Sequence, residues 1–135
     1  MVITLCGSIK FYDEMNQIRQ TLKKNGHTVL MPIKAKDVDY WAEDGRGRVE
    51  AKKKFEFVRE HFDKIEKSEA ILVVNVSKKE MENYIGANTF LEMGYAYYCK
   101  KKIFTLNPLP TQSYIIDELL TFEPVVIDGD LEKIN

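Results

Sequence analysis

Two stretches of the chain carry residue types that could do chemistry: Glu92, within Asn83 to Tyr98 (NYIGANTFLEMGYAYY), and the turn Cys6-Gly7-Ser8-Ile9-Lys10. Gly86 breaks the backbone, Asn88 or Thr89 stands where a cap would be, and apolar residues follow at helical spacing through Leu91, Tyr95 and Tyr98. Glu92 is therefore expected in the first turns of a helix, where the backbone dipole favours the ionised carboxylate a nucleophile requires. Taken alone, such a glutamate reads as a solvated surface residue. In the other turn, Gly7 would let the backbone approach a ligand, Ser8 offers a hydroxyl, helix-start amides point outward and Lys10 adds a positive charge, which together suit a phosphate. A tight turn in which Ser8 only caps the helix fits equally well. Neither GxxxxGK[ST] nor GxGxxG occurs there, which excludes a P-loop and a dinucleotide fingerprint.

Weaker candidates surround these two. His61 and Asp63 fall just before the third strand, where one of them could serve Glu92 as an acid or base partner, although His61 reads as a surface residue. Tyr40 and Trp41 sit among Asp37, Asp39, Glu43 and Asp44 in an irregular stretch, as a lid or a packing plug. Cys6 and Cys99 are too few for a disulfide framework and lack metal-ligand spacing, so both are expected reduced and buried. No metal or redox cofactor is implied.

The elements that must position these residues alternate. Val2 to Cys6 reads as a strand, and Phe11, Met15, Ile18 and Leu22 as the apolar stripe of a helix that stops at Asn25-Gly26. A second strand is expected at Thr28 to Ile33, then a polar stretch to Gly47. One long helix follows from about Arg48 to Lys67, with a stripe of Phe55, Val58, Phe62 and Ile65. Ala70 to Val76 is an almost unbroken apolar strand, which puts the Gly86 loop and Glu92 at its carboxyl end. Ile103 to Leu106, a short helix at Ser113 to Leu120 and a strand at Pro124 to Ile127 complete the series. Alternation of this kind predicts an α/β three-layer sandwich of flavodoxin-like or Rossmann-like type. Its sheet should have five parallel strands in the order 2-1-3-4-5, with ligands at the carboxyl edge.

At 135 residues the chain fits one domain, residues 1–135, without linker or repeat. Hydrophobic content of 44% with 30% charged residues is ordinary for a soluble protein, and a net charge of −1 offers no case for a nucleic acid polymer or a membrane surface. No apolar run approaches membrane length and no signal sequence is visible, so a cytoplasmic location is expected.

CGSI at Cys6 to Ile9 after the first strand and FLEMG at Phe90 to Gly94 together resemble the nucleoside 2-deoxyribosyltransferase superfamily, including its small branch of 2′-deoxynucleoside 5′-monophosphate N-glycosidases. The resemblance spans residues 1 to about 106. It implies that Glu92 attacks the anomeric carbon of a nucleoside or nucleotide, with water or a second base resolving the glycosyl-enzyme. It places Gly7, Ser8 and Ile9 along the sugar-phosphate end and Asp63 near the acidic position before the third strand. The chain departs from the family at Thr4, where many members have an aromatic residue, and at Gly86, where they have serine or aspartate; Asn88, Thr89 or Tyr84 stand near enough to substitute. Trp41 or Tyr40 would stack on the base. A homodimer or larger homo-oligomer is also implied, while a non-catalytic nucleotide-binding or sensing module on the same scaffold remains the alternative.

Overall fold

The computed structural model describes residues 1–36 and 38–135, apart from the side chains of Lys54 and Phe55. Asp37 and the expected stripe position Phe55 therefore lie outside the described residues. Strands β1 (Val2–Cys6), β2 (Thr28–Leu30), β3 (Ala70–Val73), β4 (Lys102–Thr105) and β5 (Val125–Val126) form one sheet in the order β2-β1-β3-β4-β5. Every pairing is parallel, as the alternation predicts. Cys6 pairs with Val73 in register, so β1 and β3 finish level with each other.

Side chains alternate across the strands and sort into two cores. Ile3, Leu5, Leu72 and Phe104 pack against Met15 and Leu22 of helix α1 (Tyr12–Lys24). Cys6, Ile71, Val73 and Ile103 face the opposite way. There they meet Ile65 of α3 (Phe57–Lys67), Met93 and Ala96 of α4 (Ala87–Tyr98) and Leu119 of α5 (Ile116–Thr121). The sheet is thus covered on both faces, in three layers. Gly26, at φ +92°, ends α1 in the conformation that glycine adopts without strain. No helix among the described residues is long and apolar enough to cross a membrane.

Three sequence expectations change. The second and third strands stop earlier than their apolar runs: β2, an edge strand, ends at Leu30 where its pairing with Thr4 ends, and β3 ends at Val73, level with Cys6 and Thr105. Val74 and Asn75 stay buried beyond the ladder. The expected long helix is two, α2 (Arg46–Phe55) and α3, broken at Glu56 in the left-handed conformation at φ 51°. Helix α4 buries Thr89, Glu92, Met93 and Ala96, at spacings of three and four, while Leu91 and Tyr98 of the expected stripe are exposed. Gly86, not Asn88 or Thr89, caps it, and no side chain bonds its first amides.

Candidate active site

All five parallel strands end at the carboxyl edge of the sheet, and a cavity of about 410 Å³ opens there beyond β2, β1 and β3. Its walls come from Pro32 and Ile33 after β2, Gly7 to Lys10 after β1, Lys78, Tyr84 and Gly86 in the β3–α4 connection, Ala87 to Thr89 of α4, Arg48 and Lys52 of α2, and Phe57, Glu60, His61 and Lys64 of α3. The turn at Glu56 lets α2 and α3 line the same space. Gly7 allows β1 and β3 to close behind the cavity: a Cβ there would stand 3.2 Å from the Val74 carbonyl oxygen, tighter than most real contacts. Gln112 steadies the other wall, accepting from the Ile85 amide at 2.9 Å and donating to its carbonyl at 3.0 Å just before Gly86.

Glu92 lies at the floor, 3% exposed. Its Oε2 is 3.4 Å from His61 Nε2 and 3.4 Å from Asn88 Nδ2, which donates to it. His61 Nε2 is in turn 3.5 Å from Cys6 Sγ. Burial pushes the Glu92 carboxyl up to about 8, with Cys6 and Lys52 pulling weakly the other way. It also lowers His61 to about 4, helped by the nearby Lys64 charge, and raises the Cys6 thiol well above its usual range. The helix dipole therefore does not decide the state of Glu92. Six positions into the sequence from Gly86 and out of water, the residue is mostly a neutral acid at pH 7.

The fold has counterparts among solved structures. A 2-deoxyribosyltransferase from Bacillus psychrosaccharolyticus superposes with a TM-score of 0.56 at 16% identity, over 80% of this chain and 73% of the other. The CMP N-glycosidase of Clostridium botulinum gives 0.53 at 17% identity, over 93% and 85%. A 2-deoxyribosyltransferase from Leishmania mexicana gives 0.52 at 19% identity, over 78% of this chain but 63% of the other. The fold is that of the 2-deoxyribosyltransferases. No protein-family model and no curated protein sequence matches the chain.

On this deoxyribosyltransferase fold, Gly7, Ser8, Ile9, Lys10, Gly86, Asn88, Thr89 and Glu92 all line the one cavity. Ser8 also makes the bland contact foreseen for it, accepting from the Lys10 amide at 3.4 Å as the cap of a short 3-10 turn. Cys6 stands behind the wall, touching the site through His61. Asp63 is exposed and outside the lining, because two residues beyond His61 is more than half a turn around α3. Trp41 is 60% exposed and does not line the cavity, whereas its neighbour Tyr40 is buried there, its hydroxyl accepting from the Ala35 amide at 3.0 Å. Thr4 points away from the cavity, toward Ser68 Oγ at 2.5 Å and the Lys64 carbonyl at 3.2 Å.

His61 is the chief residue that sequence reading misplaced. It is three residues after Val58 and four before Ile65, so it belongs to the same stripe of α3, a signal that was available. Arg48, Lys52 and Lys78 also line the cavity, and their cationic side chains in polar surroundings carried no comparable mark. Cys6, His61 and Glu92 bring a sulfur, a nitrogen and an oxygen within 4.8 Å of one another, close enough for one transition-metal ion to bridge. Such an ion would need Cys6 and Glu92 ionised, and it would have to enter past several cations.

Proposed function

We propose that the protein cleaves the N-glycosidic bond of a nucleoside or nucleotide with Glu92 as the nucleophile. The observation that carries this reading is the position of Glu92, on the floor of a cavity at the carboxyl edge of a deoxyribosyltransferase-type sheet. Glu92 first gives up its proton to solvent; the ionised oxygen then bonds to the anomeric carbon as the bond to the base breaks, and the departing base nitrogen takes a proton from water. Water then releases the sugar, or a second base takes it. His61 and Asn88, both 3.4 Å from Oε2, hold the carboxyl in one orientation. The low polarity that keeps Glu92 protonated when the cavity is empty also strengthens its attraction to the positive charge that develops on the sugar. Tyr40, Phe57 and Tyr84 offer aromatic surfaces in the cavity wall for the base.

The same neutral Glu92 favours a second reading, a nucleotide-binding module in which a protonated carboxyl donates to a ligand hydroxyl without attacking. Incubation with ribo- and deoxyribonucleosides and their 5′-phosphates, followed by chromatography for free base, separates the two. Release of base that requires active protein supports the enzyme; tight binding of a ligand that stays intact supports the module. Assembly as a homodimer or larger oligomer goes with either reading, and the exposed Leu91, Tyr97 and Tyr98 of α4 offer it an apolar face.

A further inference from the structure

Besides Lys64, which pairs with the lining residue Glu60, four cationic side chains line the cavity: Lys10, Arg48, Lys52 and Lys78. None of the four forms an ion pair among the described residues. Lys64, by contrast, is paired with Glu60 at 3.7 Å and also donates to the Met31 carbonyl at 2.8 Å, whereas Arg48 donates only to a neutral acceptor, the Ala42 carbonyl, at 2.5 Å. Two of the four rest on aromatic rings, Lys10 Nζ 5.1 Å from the centre of Trp41 and Lys78 Nζ 5.0 Å from that of Tyr84. Lys78 is also the main cause that lowers the Lys10 ammonium to about 8, with burial and the charges of Arg48 and Lys79 adding to it. Like charges held this close are unfavourable unless an anion joins them. Glu92 does not supply one, being buried and neutral at pH 7.

A second feature points the same way. Helix α4 is capped by Gly86, which has no side chain to bond its first amides, and Gly86 to Thr89 form part of the cavity wall. The N–H groups of that first turn therefore offer hydrogen bonds and the positive end of a 12-residue helix dipole to whatever enters. Cations and free amides thus face the same volume.

We propose that this cationic end holds the phosphate chain of a nucleoside 5′-di- or triphosphate, so that the substrate carries more than one phosphate. The inference rests on the nucleotide-cleaving reading above. A single phosphate ester carries roughly −1.5 to −2 at neutral pH and is balanced by about two cations. Four unpaired cations, with Glu92 neutral, leave charge that a longer phosphate chain would satisfy.

Two measurements test this. Calorimetry with inorganic phosphate, pyrophosphate and tripolyphosphate should show affinity rising by about tenfold with each added phosphate at low salt, and falling steeply as salt is added. Base release from nucleosides and their 5′-mono-, di- and triphosphates should give kcat/KM in the same order. The double variant Lys10→Ala/Lys78→Ala, checked for folding by circular dichroism, should lose the preference in both assays. Equal or better use of the monophosphate, or a preference unchanged in the double variant, overturns the proposal. If no nucleotide releases base, the ranking of the three inorganic anions still decides the phosphate inference, while the glycosidase reading falls by itself.

Discussion

The two ends of the cavity differ in almost every physical respect. At one end Cys6, His61 and Glu92 are buried, within 4.8 Å of one another and mostly uncharged at pH 7. At the other, Lys10, Arg48 and Lys78 are half-buried, charged and in part propped on aromatic rings. A buried carboxyl gains reactivity toward a developing cation from the absence of water, whereas a cluster of cations near water gains mainly attraction for an anion. The contrast assigns bond-breaking to the first end and ligand capture to the second. Substitutions at the two ends should accordingly separate in kcat and KM.

The largest separation is expected at Glu92. Glu92→Gln keeps the size and the hydrogen bonds of the side chain but cannot form an ester, so kcat should drop by about 10³-fold or more with ligand affinity nearly unchanged. A variant that turns over at the normal rate would merge the two ends into one binding site. Next comes pH. Because the reactive form is the ionised carboxyl and burial holds it near 8, kcat/KM should fall about tenfold per unit as pH drops below about 8. A profile flat from pH 6 to 8 would mean that Glu92 is ionised in the free protein.

At the cationic end the effect should be smaller and of another kind. Lys10→Ala should raise KM for a phosphorylated substrate by about tenfold, leave kcat within about twofold, and weaken the dependence on salt. A loss of kcat with KM unchanged would move Lys10 to the chemical end. The smallest effect is on stability. Glu92 titrates near 4.5 in the unfolded chain and about 8 in the folded one, so its contribution is full below 4.5 and is lost as pH rises to about 8. His61, lowered from 6.5 to about 4, contributes in the opposite sense, losing stability as pH falls through that lower window. Between pH 6.5 and 8 the Glu92 slope should therefore stand out, as a decline on the order of 1 to 2 kcal/mol, or a few degrees in Tm. Calorimetric scans of wild type and Glu92→Gln would check it, the variant lacking that decline.

The sheet was legible because each strand is a short apolar run between helical stripes, and the order 2-1-3-4-5 is one of the common doubly wound orders that such alternation forms. Glu92 and the Cys6 to Lys10 turn were legible because a glycine and a strand end mark them. The break at Glu56 was not, since neither glycine nor proline stands there and a glutamate rarely adopts a left-handed conformation. That break brings Arg48 and Lys52 to the cavity, so missing it hid them as well. The ionisation of Glu92 was misjudged for a related reason. Position on a helix can be read from spacing, but the burial that opposes the dipole depends on α3 and β1 closing over the side chain.

The central claim is that Glu92 forms a bond to the sugar, and trapping that bond tests it most directly. A 2′-fluoro-substituted nucleotide with a good leaving base destabilises the oxocarbenium-like transition states of both steps, so a glycosyl-enzyme should accumulate. After quenching and proteolysis, mass spectrometry should find the fluorinated sugar on the peptide carrying Glu92, and on none in the Glu92→Gln variant. An adduct on another residue, or release of base from the fluorinated substrate with no sugar ever bound to the protein, would contradict the account.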